Sequence, residues 1–233
     1  MGPFDERSAD ERSLGGQSSG ESPELVWYAS YGSNTHRDRL AAYIVGGRPE
    51  GGTREHPGCR DRRMPAESVP VELPGALYFA TVSPVWGGGR AFYDPDAEGR
   101  TLAVAHLVTP SQFSDIAAQE MYRRPGAGLD LAGVLTRGRA ALGDGRYETL
   151  VCAGTLRSRP VLTFTAPWGA GDAPYVPPTA AYLAHLAAGL RESGGWSGER
   201  VAAYLAAAGA LTRGADGHGA DARGTDVNGV DNA

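Results

Sequence analysis

The chain has 233 residues and a formal net charge of -5, and all 22 positions counted as Lys+Arg are arginine. Without lysine, Schiff-base chemistry, pyridoxal-phosphate anchorage and the lysine clamps of P-loop and kinase-type nucleotide sites are excluded from this chain. Its 34 glycines and 16 prolines are well above the roughly 12% of an average protein, which argues against a mostly helical bundle.

Residues 1–24 hold six acids and two arginines and few large apolar side chains, and residues 210–233 hold four acids and two arginines in a Gly-, Asp- and Ala-rich context. Neither segment can repay the entropy of ordering, so both are expected to be disordered tails around one domain at 25–209. Leu25 to Ser30 is a short apolar run ended by Tyr31-Gly32-Ser33-Asn34, and His36 to Val45 carries Leu40, Tyr43 and Ile44 at helical spacing. The pattern is strand, glycine turn, helix. Residues 46–70 show no sustained period and hold five arginines among glycines and prolines, as a long functional or unstructured loop would.

From Val71 the pattern becomes β. Glu72 to Ala80 is expected as one strand, followed by Arg90 to Tyr93 and Thr101 to Val108, with turns at Gly87-Gly88-Gly89 and Asp94-Pro95-Asp96. Thr109-Pro110-Ser111 opens a helix running through Phe113, Ile116 and Ala117 to Glu120, with Pro110 or Ser111 near its start. Tyr147 to Ala153 and Val161 to Thr165 are two further strands. Pro178 to Leu190 and Ser197 to Ala207 close the domain as amphipathic helices. The expected class is α+β, a mixed sheet of about five or six strands with four helices.

Cys59 and Cys152 lie far apart, and His36, His56, His106, His185 and His218 have no metal-ligand spacing, so neither a disulfide framework nor a zinc site is expected. The start of the chain lacks an apolar signal-like segment and no stretch approaches 18 apolar residues, so a cytoplasmic protein without a membrane span is expected. With no basic block, nucleic-acid binding is not expected either.

Three places invite chemistry. Tyr31-Gly32-Ser33-Asn34 sits where a strand hands over to a helix, a place where backbone N–H groups suit a carboxylate or a developing oxyanion; the plain alternative is a tight turn with Asn34 as a cap. Glu120 ends a helix, where an acid opposes the macrodipole, so it is either used or merely solvated. Tyr182, one turn into the helix after Pro177-Pro178-Thr179, either presents a hydroxyl to a ligand or belongs to the core. Ser33 does not lie in a GxSxG elbow, which leaves a serine-hydrolase mechanism without support.

These elements, with Trp86 to Phe92 and Asp94-Pro95-Asp96 between them, resemble the γ-glutamylcyclotransferase-like family over nearly all of residues 27–207. The resemblance implies a small mixed β-barrel or sheet with flanking helices that releases 5-oxoproline and a free amine from a γ-glutamyl amide, without metal or organic cofactor. It implies Glu120 as general acid/base and Tyr31, Gly32, Ser33, Asn34, Tyr122 and Tyr182 as substrate contacts. Met121 stands where the family often has glycine, and Leu129 and Leu131 stand where it has a tyrosine, for which Tyr122 is the expected substitute. The partner so implied is a small γ-glutamyl molecule, with a biosynthetic intermediate in a high-GC bacterium as one source; oligomeric state is left open. An acyltransferase or amide hydrolase on the same residues, or a non-catalytic binding module, are the alternatives. Arg54, Arg60, Arg62 and Arg63 are expected either to recognise an anionic or bulky amine portion or to form a solvated loop.

Overall fold

In a computed structural model, residues 23–49 and 54–211 are described. The strand β1 (Val26–Ser30) is buried along its whole length. It lies inside a six-stranded sheet of order β2-β5-β1-β8-β7-β6, antiparallel to β5 (Arg100–Val108) and parallel to β8 (Arg159–Thr165). A strand covered on both faces reads as a continuous apolar run, as Val26-Trp27-Tyr28-Ala29 does. Successive side chains then serve opposite cores. Trp27, Ala29 and Tyr31 join one apolar cluster with Phe79, Tyr93 and Leu186, while Val26 and Tyr28 join another with Phe113, Ile116 and Phe164. Full burial of side chains such as Trp27, Phe79 and Phe113 stabilises the fold by about 1.5–3 kcal/mol each.

The expected strand from Glu72 to Ala80 is two strands in two sheets. β2 (Ser68–Pro74) pairs with β5 at the edge of the large sheet, whereas β3 (Ala76–Val82) pairs with β4 (Gly89–Asp94) in a separate two-stranded sheet. The break is Gly75, whose φ is +106° and where a Cβ would come 2.3 Å from the carbonyl oxygen of Asp94. Only glycine fits there. Pro70 and Pro74 suit β2 to an edge position.

Helix α1 (Arg37–Ile44) and helix α2 (Pro110–Glu120) form where expected. Pro110 stands in the first turn of α2, as expected, and the cap is Thr109: its hydroxyl accepts from the Gln112 N–H at 3.1 Å while the Gln112 side chain accepts from the Thr109 N–H at 3.0 Å, a reciprocal capping box. A short helix α3 (Ala132–Arg137) and strand β6 (Arg139–Ala141) are additions to the expected elements, and β7 (Thr149–Leu156) starts two residues later than Tyr147. Helix α4 (Ala180–Glu192) is capped by Thr179, and α5 (Gly198–Leu211) extends beyond Ala207 across the expected tail boundary at 210. The rest of the expected tails, 1–22 and 212–233, and positions 50–53 of the arginine-rich loop lie outside the described residues. Among the described residues the outcome is α+β, a mixed sheet and a hairpin flanked by five helices, one more than expected, in agreement with the expected class. No helix among the described residues is long and apolar enough to cross a membrane.

Candidate active site

The turn after β1 forms a short 3-10 segment (Ser33–Thr35) leading into α1. Helix α4 clamps it from behind. A Cβ on Gly189 would come 2.5 Å from Thr35 Oγ1 and 2.6 Å from the His36 nitrogen, so glycine lets the helix backbone lie directly against the turn. His185, on the same helix, places Nε2 3.0 Å from the Ser33 carbonyl oxygen, which makes this nitrogen the protonated one. Thr35 Oγ1 donates to the Gly32 carbonyl at 2.9 Å. The N–H groups of Gly32, Ser33 and Asn34 donate to no other described residue. At Gly32 itself a methyl group would sit at ordinary contact distance, 3.7 Å from Tyr182 Oη. Its backbone, at φ -106° and ψ -149°, lies outside the regular β and α regions, so what glycine eases there is the backbone conformation, not the space around it.

Glu120 is the last residue of α2, and three interactions define this end of the helix. Gln119 Nε2 donates to the Tyr43 carbonyl at 2.9 Å, tying α2 to α1. The Tyr122 N–H bonds the Gln119 carbonyl at 3.2 Å and the Arg123 N–H bonds the Ala118 carbonyl at 2.7 Å, with Tyr122 left-handed at φ 57°. This pair of bonds is the Schellman arrangement, with tyrosine in the position usually held by glycine. The Glu120 side chain turns inward, where Oε1 accepts from Asn34 Nδ2 at 3.2 Å. Burial raises its pKa above the ordinary carboxylate value, against the opposing pull of the Tyr43 hydroxyl, Arg39, the Asn34 amide and Arg146. A carboxyl poised in this way both accepts and returns a proton near neutral pH more readily than a solvated one.

Two cavities meet at Glu120, and Ser33, Tyr147 and Tyr182 also line both. The deeper one, about 360 Å³ with its mouth included, is lined by Tyr31, Gly32, Asn34 and Thr163 among mostly buried residues. Ser30 Oγ, Asn34 Oδ1 and Thr163 Oγ1 are buried there without a hydrogen-bond partner among the described residues. Leaving a buried polar atom unpaired costs about 1–3 kcal/mol, so three together describe a surface fitted to a small polar group. The outer cavity, about 610 Å³ with its mouth included, is bordered by Arg39, Arg54, Arg90 and Arg146, with Trp86 stacked on Tyr182 at 5.0 Å.

Glu120 and the six residues expected as substrate contacts all border one or both cavities, though not in equivalent ways. Glu120, Gly32, Ser33, Asn34 and Tyr182 converge. Tyr31 contributes its ring only, since its hydroxyl is committed to the Phe164 carbonyl at 2.8 Å. Tyr122 lies at the outer rim, 54% exposed, with the guanidinium groups of Arg54 and Arg146 each 4.5 Å from its ring. It is Tyr147, from the segment before β7, that reaches both cavities. Of the four loop arginines, Arg54 alone borders the outer cavity. Arg60 is bound to Asp115 and Arg63 to Asp61, and Arg62 donates to the Pro57 carbonyl. Sequence reasoning missed Arg39, Arg90, Arg146, Tyr43 and Tyr147. Arg39 and Tyr43 are four apart on one helix and so share a face, which was the available signal. Among the described residues, no three His, Cys, Asp or Glu side chains gather as a metal ion would require.

No family model matches the chain. A segment of it is 34% identical over 198 residues to a protein named histone deacetylase 5 from Arabidopsis thaliana, a match covering 77% of this chain and 30% of that protein. The chain therefore spans less than a third of that protein's length. Among solved structures, a γ-glutamyl cyclotransferase and an uncharacterised human protein each superpose with a TM-score of 0.47 at 16% identity, over 78% of this chain and 88% and 89% of theirs.

Proposed function

We propose that the chain cleaves a γ-glutamyl amide by intramolecular aminolysis, with Glu120 as the general acid/base. The observation that carries this reading is the position of the Glu120 carboxylate at the junction of two cavities, held by Asn34 and facing a turn with uncommitted N–H groups. The deeper cavity suits the α-ammonium and α-carboxylate of a glutamyl group, with Ser30, Asn34 and Thr163 as polar partners and the N–H groups of the turn as anion donors. Glu120 takes a proton from the substrate's α-ammonium. The freed amine attacks the γ-carbonyl carbon, forming the ring C–N bond, and the amide C–N bond then breaks as the same carboxyl returns the proton to the departing nitrogen. The attacking nitrogen gives up a second proton as it becomes the ring amide, and that proton ends on the released amine, so atoms and charge balance as 5-oxoproline plus the amine in its ammonium form. The motif resemblance of the YGSN turn and the helix-terminal glutamate points the same way.

The test is incubation with a panel of γ-glutamyl amines and detection of 5-oxoproline by mass spectrometry, with Glu120→Gln as the control. Formation of 5-oxoproline by the native chain, reduced by about 10²-fold or more in the variant, is the expected result. Free glutamate in place of 5-oxoproline would reassign the chain to hydrolysis, and full activity in Glu120→Gln would remove the mechanism.

A further inference from the structure

The outer cavity has a charge imbalance that cleavage of a γ-glutamyl bond does not by itself require. Four guanidinium groups border it, from Arg39 on α1, Arg54 in the following loop, Arg90 on β4 and Arg146 before β7, and Glu120 is the one acid in its lining. Among the described residues the ion pairs join other partners, such as Arg60 with Asp115, Arg123 with Glu148 and Arg139 with Asp96; none involves these four. Arg90 is held by Thr81 Oγ1 at 3.3 Å and the Val82 carbonyl at 2.8 Å, and Arg54 by the Gln119 carbonyl at 3.5 Å. These are neutral acceptors that leave the charge uncompensated. Arg39 and Arg146 each bury Nε without a hydrogen-bond partner.

One guanidinium would be enough to favour the ionised form of Glu120. Four exceed that need, and keeping like charges together beside a partly dehydrated cavity costs energy unless an anion joins them. The crowding leaves a mark on a neighbour. His56, buried in the same lining, is driven down to about 4 by burial and then by the charges of Arg39 and Arg54, so it adds no further cation at neutral pH.

The glutamyl group cannot be the missing anion, because its α-carboxylate and α-ammonium cancel. We infer that the amine portion of the substrate carries two or more negative charges, as in an acidic amino acid or a phosphorylated amine, and that Arg39, Arg54, Arg90 and Arg146 hold it in the outer cavity. The planar guanidinium fork matches carboxylate and phosphate oxygens alike. The inference rests on the function proposed above, since it takes the deeper cavity as the seat of the glutamyl group.

The decisive measurement is calorimetric binding to the full chain carrying Glu120→Gln, using γ-glutamylethylamide, γ-glutamylglycine, γ-glutamylglutamate and γ-glutamylphosphoethanolamine, alongside 5-oxoproline release from the same four by the native chain. The ethylamide offers no charge on the amine side, glycine one, and the last two compounds distinguish a dicarboxylate from a phosphate. Affinity is expected to rise by about tenfold or more from the ethylamide to the better dianion. That gain should collapse in Arg39→Gln and Arg146→Gln, survive in part in Arg39→Lys, and shrink as salt is raised. Equal affinity across the panel, no measurable binding, or an undiminished preference in both glutamine variants overturns the inference. Release of 5-oxoproline from all four compounds without charge ranking overturns it and leaves the proposed function standing. Charge-ranked binding without 5-oxoproline from any of them upholds a polyanion cavity and removes the cyclotransferase reading.

Discussion

Asn34 Nδ2 donates to Glu120 Oε1 across 3.2 Å, joining the turn after β1 to the end of α2, 86 positions away. The same amide donates to the Tyr28 hydroxyl at 3.3 Å, so its orientation is held from two sides. Replacing it by Asp would put a second carboxylate beside the first, and a like charge disfavours ionisation of Glu120 further. Asn34→Asp is therefore expected to move the acid limb of the kcat/KM profile for 5-oxoproline release to higher pH. Asn34→Ala should lower kcat by about tenfold through loss of one hydrogen bond to a charged group. An acid limb that stays in place in Asn34→Asp would separate Glu120 from the proton transfer.

The raised pKa of Glu120 carries a consequence for stability. Burial is its chief cause, and a carboxyl whose folded pKa lies above its unfolded value favours the folded state below the unfolded pKa and loses that contribution as pH rises through the folded one. At neutral pH the buried carboxylate is a liability, offset only in part by Asn34, Tyr43 and Arg39. Glu120→Gln, which keeps the acceptor for Asn34, is expected to melt at a higher temperature than the native chain near pH 7. The advantage should close as pH falls to the carboxylate range. Thermal denaturation of both proteins from pH 4 to pH 8 checks this, and a variant less stable at neutral pH would contradict it.

Much of this arrangement could be read from the chain before folding. The apolar run Val26 to Ala29, ended by a glycine turn and followed by helical spacing at Leu40, Tyr43 and Ile44, specifies β1 and α1 locally, and the turn between them inherits its position. Glu120 was visible as one of two readings, used or merely solvated, because an acid at a helix end opposes the macrodipole, and the motif resemblance chose between them. Arg39 and Arg146 were not, because an arginine on an amphipathic helix or in a polar loop reads as solvated. Only the closure of α1 against α2, through the Gln119 side chain and the Tyr43 carbonyl, places Arg39 beside the cavity. The boundary between β2 and β3 was hidden for another reason. Alternation continues through Gly75, and it is the backbone of Asp94, distant in sequence, that makes the chain turn there.

Two histidines should make the protein sensitive to acid. His56 and His106 are 3% exposed and each is driven down to about 4, mainly by burial. A histidine with its folded pKa below the unfolded value of 6.5 contributes stability above that value and loses it as pH falls toward 4, because the unfolded chain binds the proton first. The shift from 6.5 to about 4 puts on the order of 3–4 kcal/mol at stake for each residue, at about 1.4 kcal/mol per pKa unit. The melting temperature is expected to drop between pH 7 and pH 4.5. His56→Phe, which preserves the tilted ring contact with Tyr43 at 4.1 Å, should show a shallower drop. An identical slope in the variant would show that His56 is not protonated in this window.

Tyr122 combines a favourable contact with an unfavourable backbone. Its φ of 57° places a Cβ-bearing residue in the left-handed region, at a cost of about 1–2 kcal/mol, while Arg54 and Arg146 stack on its ring. Removing the ring with and without the Cβ separates the two effects. Tyr122→Ala keeps the strain and loses the stacking, whereas Tyr122→Gly loses both, so the glycine variant should be more stable than the alanine variant by about 1 kcal/mol. Chemical denaturation of the pair measures that difference directly, and equal stabilities would mean that the helix end relaxes to another conformation.

The arginine-rich loop divides into structural and dispensable members. Arg60 donates Nε to Asp115 Oδ1 and Oδ2 at 3.1 and 3.0 Å, its backbone N–H reaches the same carboxylate at 2.9 Å, and the Asp115 side chain is fully buried. Arg60→Ala would leave that carboxylate with the backbone N–H alone. Because the Arg60 side chain is itself 44% exposed, water can replace part of what is lost, and a cost of about 2 kcal/mol is expected, below the range for a wholly buried pair. Arg63, 85% exposed opposite Asp61, and Arg62, which among the described residues donates only to the Pro57 carbonyl, should change stability by about 0.5 kcal/mol or less when replaced by alanine. Neither borders the outer cavity, so the Michaelis constant for a dianionic γ-glutamyl amide should be unchanged in both, whereas Arg54→Ala should raise it. A raised constant in Arg62→Ala or Arg63→Ala with a normal melting temperature would extend the substrate site beyond the cavity and along the loop.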